Sequence, residues 1–122
     1  RLFPGIQAEI LKNFLRPPLE GLVLEAFGVG NGPSRDPEFL RALAEATERG
    51  VVIVATTQCL KGAVDLSGYA TGEALARSGV IGGGDMTPEA ALAKLHYLFS
   101  CGHSPTEVRS QIPQNLCGEL TI

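Results

Sequence analysis

Asp36-Pro37-Glu38-Phe39-Leu40-Arg41-Ala42-Leu43-Ala44-Glu45-Ala46-Thr47-Glu48-Arg49-Gly50-Val51-Val52-Ile53-Val54-Ala55 reads as a helix followed at once by a strand. Asp36 is an N-cap residue whose carboxylate can accept from the first free backbone N–H groups, and Pro37 fits the first helical position. Phe39, Leu40, Leu43 and Thr47 fall on one face at helical spacing. Arg49 sits in the last turn, and Gly50 can take the left-handed conformation that ends a helix. Val51 to Ala55 is an unbroken run rich in β-branched residues, as expected of a strand buried on both faces of a parallel sheet.

The same alternation extends outward. Leu22-Val23-Leu24-Glu25-Ala26-Phe27, closed by Gly28, reads as a second buried strand. Before it, Ile6, Ile10, Leu11, Phe14 and Leu15 recur at helical spacing until Pro17-Pro18 stops the helix. Leu2-Phe3 reads as the tail of a further strand ending at Pro4-Gly5. After the central strand, a loop spans about Thr56 to Gly68, and Tyr69 to Ser78 reads as a helix ending at Gly79. Val80-Ile81 is a short strand ahead of the Gly82-Gly83-Gly84 turn. Thr87-Pro88 opens a helix lined by Ala91, Leu92, Leu95, Leu98 and Phe99 on one face. Ser104-Pro105-Thr106-Glu107 has the capping-box pattern. Leu116 to Ile122 reads as a loop or an edge strand. Strand–helix alternation with short connections predicts right-handed βαβ units on a parallel sheet of roughly three or four strands, with helices on both faces.

The 122 residues fit one domain. A hydrophobic share of 44% and a charged share of 19% indicate a soluble globular class. No apolar run approaches the roughly 20 residues a bilayer requires. A net charge of −3 speaks against binding nucleic acid, which needs a basic face. Cys59, Cys101 and Cys117 lack CxxC spacing and ligand-spaced histidines, which leaves free buried or half-buried thiols in a reducing cytosol as the expectation. The chain opens Arg-Leu-Phe-Pro-Gly, without a Met or a targeting segment, which suggests a piece of a longer protein.

Ligands approach parallel sheets at the carboxyl ends of the strands. Two loops follow those ends. Gly28-Val29-Gly30-Asn31-Gly32 lets backbone approach a ligand closely, or is a tight loop ahead of the Asp36 cap. It lacks the third glycine of a dinucleotide fingerprint and the Lys-Ser/Thr of a P-loop. Thr56-Thr57-Gln58-Cys59 offers hydroxyls, an amide and a thiol to a small polar ligand, or is ordinary loop capping. Without a partner base, Cys59 reads as a packed thiol and not as a nucleophile. Tyr69 reads either as a phenol reaching a ligand or neighbouring chain, or as a half-buried aromatic at a helix start. Asp85 precedes the Thr87 cap, where it stabilises the helix dipole. Nowhere do nucleophile, base and oxyanion donors come together, so no catalytic residue is assigned.

Gly28-Val29-Gly30-Asn31, Thr57-Gln58-Cys59, Gly68-Tyr69-Ala70-Thr71-Gly72 and Gly79-Val80-Ile81-Gly82-Gly83-Gly84-Asp85-Met86-Thr87 resemble the C-terminal domain of bacterial type I (cytosolic) L-asparaginases. Phe3-Pro4-Gly5-Ile6, the Ala90-to-Leu95 helix and Gly118-Glu119-Leu120 extend the resemblance along essentially the whole chain. The resemblance implies a three-layer, flavodoxin-like parallel sheet of about four strands. It implies an enzyme that hydrolyses L-asparagine to aspartate and ammonia with a threonine nucleophile and no cofactor or metal. In that family an N-terminal domain carries the nucleophilic threonine in a TGGT motif and a second threonine with an aspartate in a GTDT-like motif. A lysine completes the proton relay, and these motifs are absent from the 122 residues. Residues 1–122 would then be a cytoplasmic enzyme's C-terminal domain, inactive alone, within a homodimer or homotetramer. Asn31 and Tyr69 match residues that approach a neighbouring subunit's substrate. Cys59 matches the lining of a regulatory asparagine site, and Glu25 stands where allosteric relatives carry an arginine. Non-allosteric relatives also resemble the chain at Glu25, so that form of activation is expected to be missing. The competing assignments are the asparaginase-like subunit of a tRNA-dependent amidotransferase and a non-catalytic ligand-binding or dimerisation domain. Lysophospholipase activity, assigned to some related proteins, is neither supported nor excluded.

Overall fold

The computed structural model describes residues 1–121. Its elements in chain order are α1 (Ala8–Phe14), β1 (Gly21–Ala26), α2 (Pro37–Glu48), β2 (Val52–Thr57), α3 (Ala70–Arg77), β3 (Ile81–Gly82), α4 (Pro88–Ser100) and α5 (Pro105–Gln111). The strands form one parallel sheet in the order β1-β2-β3, with Gly21 opposite Val52, Ala26 opposite Thr57, and Val54 opposite Ile81. This is the expected α/β architecture with three strands among the described residues. Leu2 does not extend the sheet as a strand, although its N–H donates to the Glu25 carbonyl at 3.0 Å. Residues 113–121 form turns, not an edge strand, and Ile122 lies outside the described residues.

The helix boundaries follow the predicted caps. The Asp36 carboxylate accepts from Glu38 N at 3.0 Å and from Phe39 N at 3.3 Å. Gly50, with φ at +98°, ends α2 as expected. Thr87 Oγ1 accepts from Ala90 N at 3.1 Å. Ser104 and Glu107 exchange the two bonds of a capping box. Arg49 does more than favour a helix dipole, because its guanidinium donates to the Leu15 carbonyl at 2.6 Å and ties the end of α1 to α2.

Side chains of β2 alternate between two cores. Ile53 and Ala55 join Leu24, Ala26, Phe39, Leu43 and Leu75 on the face covered by α1, α2 and α3. Val52 and Val54 join Met86, Leu95, Leu98, Val108 and Ile112 on the face covered by α4 and α5. Both faces are therefore dry, which explains the unbroken apolar run of β2.

Three details differ from the sequence reading. Leu92 lies on the flank of α4 and is exposed, because the buried stripe runs through Ala91, Lys94, Leu95 and Leu98. Ile10 and Phe14 are exposed on α1, whose inward face is Ala8 and Leu11, continued by Leu15. All three cysteines are free and exposed. They sit in the loop after β2, at the C-cap of α4 and in the turns near the C-terminus, where no second layer covers them.

Candidate functional site

The loops after β1 and β2 are bound into one rim at the carboxyl edge of the sheet. The Phe27–Asn31 turn closes on itself, with Phe27 N donating to Asn31 O at 2.9 Å and Asn31 N to Phe27 O at 2.8 Å. Thr57 Oγ1 donates to the Gly28 carbonyl at 2.6 Å and accepts from Cys59 N at 3.0 Å. Gln58 Nε2 donates to Leu2 O at 2.7 Å and to Glu25 O at 2.9 Å. Asp65 N donates to Val29 O at 2.9 Å, so the long loop also holds the glycine-rich turn. Thr57 and Gln58 thus serve mainly to fix the rim.

The four candidate positions fall into two groups on this rim. Asn31 Oδ1 accepts a hydrogen bond from Thr71 Oγ1, in the first turn of α3. That bond leaves Asn31 its NH2 as a donor and one lone pair of Oδ1 as an acceptor. Tyr69 is the N-cap residue of α3 and is 64% exposed, more open than the half-buried aromatic foreseen as one alternative. Asn31 and Tyr69 are therefore brought to the same end of α3.

Glu25 and Cys59 come together elsewhere on the rim. Both line a cleft of about 280 Å³ that also involves Arg1, Asp85 and Glu89. Three carboxylates face one guanidinium there, a balance that disfavours the carboxylate end of an amino acid and favours its ammonium end. Thr121 N–H donates to Asp85 at 2.8 Å and holds that carboxyl below its ordinary range. Across the rim, the Ser67 hydroxyl and amide do the same for Asp65. Among the described residues, no group of three or more His, Cys, Asp or Glu side chains could hold a metal. No helix among them is long and apolar enough to cross a membrane.

Two polar groups near this edge are buried against expectation: the sequence offers Thr56 as a loop hydroxyl open to a ligand, and it gives Lys94 no place in the core. Thr56 is fully buried and pairs in register with Glu25, yet its hydroxyl has no hydrogen-bond partner among the described residues. Lys94 is buried inside the apolar stripe of α4. A lysine on a helix ordinarily reads as solvent-facing. The available signal was its spacing, three residues after Ala91 and four before Leu98.

The architecture and its polar rim define a small doubly wound α/β domain that presents loops at the carboxyl edge of a parallel sheet. The family model for the glutaminase/asparaginase C-terminal domain matches residues 1–112, and the chain belongs to that family. It is similar to L-asparaginase 1 of Escherichia coli, at 52% identity over 120 residues that cover 98% of this chain and 35% of the relative. It is equally similar, at 52% over 122 residues, to a Homo sapiens 60 kDa lysophospholipase, covering 99% of this chain and 21% of that protein. A glutamyl-tRNA(Gln) amidotransferase component from Pyrococcus horikoshii is more distant, at 36% identity over 121 residues covering 99% of this chain and 27% of that protein. Among solved structures, L-asparaginase I of Vibrio cholerae superposes with a TM-score of 0.94 at 54% identity, covering 99% of this chain and 36% of that one. The chain thus spans about a third of the length of these asparaginases.

Proposed function

We propose that this chain is the C-terminal domain of a cytoplasmic enzyme that hydrolyses L-asparagine to L-aspartate and ammonia. In this reading the threonine nucleophile and its proton relay lie elsewhere in the polypeptide. The domain contributes Asn31 and Tyr69 to the substrate site of a neighbouring subunit in a homodimer or homotetramer. The observation that carries the reading is the bond from Thr71 to Asn31, which fixes an amide beside the end of α3 where the Tyr69 phenol stands exposed. An amide donor and a phenol suit the carboxylate of a zwitterionic substrate, and holding them rigidly lowers the ordering cost of binding. Identity to the asparaginases exceeds that to the amidotransferase component, which favours free asparagine as the substrate class.

The cleft at Glu25 and Cys59 bears on regulation. With Glu25, Asp85 and Glu89 against Arg1, it is a poor receptor for a second asparagine held by its carboxylate. The enzyme is therefore expected to respond hyperbolically to asparagine. A sigmoidal rate curve abolished by substitution of Cys59 would contradict this.

The test of domain assignment is ammonia release. The 122-residue chain incubated alone with L-asparagine should yield none above buffer, and hydrolysis of a lysophospholipid by the same sample should be absent. Sustained ammonia release would mean that a complete active site lies within these residues.

A further inference from the structure

The end of the chain is held by an ion pair buried in protein. The Lys94 side chain is 3% exposed, and its Nζ donates to Glu119 Oε1 at 2.5 Å, to Ile112 O at 2.9 Å and to Gln114 O. Every ammonium proton therefore has an acceptor. Two of these acceptors are carbonyls at and just beyond the end of α5, where a cation is favoured. Glu119 in turn accepts from Cys117 N at 2.8 Å and from Leu116 N at 3.0 Å. Residues 113–121 have no helix or strand to fix their position. The pair fixes it instead.

What the pair positions lies immediately downstream. Leu120 packs against Gly84, where a Cβ would stand 2.6 Å from Leu120 Cδ1 and where φ is +59°, so a glycine is favoured there. Thr121 N donates to Asp85, a wall of the cleft. The turn that carries Gly84 is fastened to the sheet by Gly83 N donating to Ala55 O at 2.8 Å. It is fastened to the long loop by Val64 N donating to Gly84 O at 2.8 Å. The next residue, Asp65, holds Val29 in the turn that ends at Asn31.

We propose that Lys94 and Glu119 are positioning residues for the carboxyl edge. They lock the last residues over the Gly83–Asp85 turn, and that turn sets where the Val64–Asp65 segment and the Asn31 loop stand. The physical case rests on what a buried ion pair is good for. Removing both charges from water costs about as much as their attraction returns, so a well-packed apolar pair would stabilise the fold at least as well. A charge pair with every ammonium proton matched does something an apolar pair does not: it accepts one register of the irregular segment and rejects its neighbours. The inference rests on the proposed function only for the use made of the rim.

The test uses the 122-residue chain without ligand, so its outcome is separate from that of the asparaginase reading. The variant K94M/E119L removes both charges at similar volume. Its urea midpoint should equal or exceed that of the parent. Amide exchange at Val64 and Asp65 should nonetheless accelerate about tenfold or more, the effect of losing roughly one hydrogen bond. Exchange at Ile53, in the central strand, should stay unchanged. The Asp85 carboxyl, followed by carbon NMR, should titrate nearer to its ordinary pKa of about 3.9. L120A leaves the ion pair in place and cuts the path downstream, and it should also speed exchange at Val64. Parent-like exchange at Val64 and Asp65 in either variant would overturn the proposal, leaving the pair as a local contact.

Discussion

On the face covered by α1, α2 and α3, Leu24, Ala26, Ile53 and Ala55 pack on Phe39, Leu43 and Leu75. On the face covered by α4 and α5, Val52 and Val54 pack on Leu95, Leu98, Val108 and Ile112, but beside a buried lysine and a threonine hydroxyl without a partner among the described residues. Glu25 extends from this second face into the cleft. The first face relies on area removed from water, a non-directional term that is stabilising wherever the side chains interdigitate. The second gives part of its interior to a threonine hydroxyl that stabilises little and to a lysine whose proposed role is to specify position. The contrast teaches that the half of the domain nearest the cleft carries the buried polar groups, and the proposal above gives its ion pair the task of placement.

The largest effect should come from the apolar face. Phe39→Ala empties a fully buried site and should cost about 3–5 kcal/mol of unfolding free energy, measured by urea titration. The loss should be nearly independent of pH. A cost under about 1 kcal/mol would mean that this face tolerates a cavity and is not the main store of stability.

On the other face, Glu119→Gln leaves the Lys94 ammonium buried without its counter-charge and should cost about 3 kcal/mol near neutral pH. The pH dependence sharpens the contrast. The Lys94 ammonium, and after it the Cys117 N–H, hold the Glu119 carboxyl well below the usual carboxylate range. Because its folded pKa is lowered, the unfolded chain takes up the proton first as pH falls. The contribution of Glu119 is complete above its unfolded pKa of about 4.3 and is lost as pH falls toward its folded value. Asp65, Asp85 and Glu107 are lowered too and add to the same acid slope. Urea midpoints collected from about pH 5 downward should fall less steeply for K94M/E119L than for the parent. Equal slopes would remove Glu119 from the explanation.

Smaller effects come from single polar groups. Asp36→Ala removes the cap of α2 and should cost about 1 kcal/mol by urea titration. Thr56→Val exchanges an unpartnered buried hydroxyl for a methyl group, and should leave stability unchanged or raise it by up to about 1 kcal/mol. A clear loss at Thr56 would show that its hydroxyl has a partner in solution, and would make the second face more polar than described.

The first face was largely legible in the amino-acid sequence, and the second only in part. Asp36, Pro37, the Phe39–Leu43 stripe and Gly50 bound α2 within one residue because caps and periodicity are local signals. The β-branched run from Val51 marked the central strand for the same reason. Lys94 and Glu119 were not legible as a pair. They lie on separate elements, and nothing local in a helix lysine or a turn glutamate reveals that the other is opposite. The rim shows the same division. The loops at Gly28–Asn31 and Thr57–Cys59 were located from the strand ends that precede them. The family resemblance already set Glu25 beside Cys59 and Asn31 beside Tyr69, whereas the cleft that Glu25 and Cys59 line and the Thr71 bond to Asn31 needed the crossover geometry.

The most direct test of the proposed use of this rim is the effect of Tyr69→Phe on kcat/KM for L-asparagine, in the longer polypeptide of which this chain is proposed to be the C-terminal domain. The Tyr69 side chain makes no cap bond and is exposed, so removing its hydroxyl should leave the unfolding temperature unchanged. If Tyr69 faces a neighbouring subunit's substrate, kcat/KM should fall about tenfold, the value of roughly one hydrogen bond made to a charged substrate. An unchanged kcat/KM would contradict the assignment of this edge of the sheet to substrate.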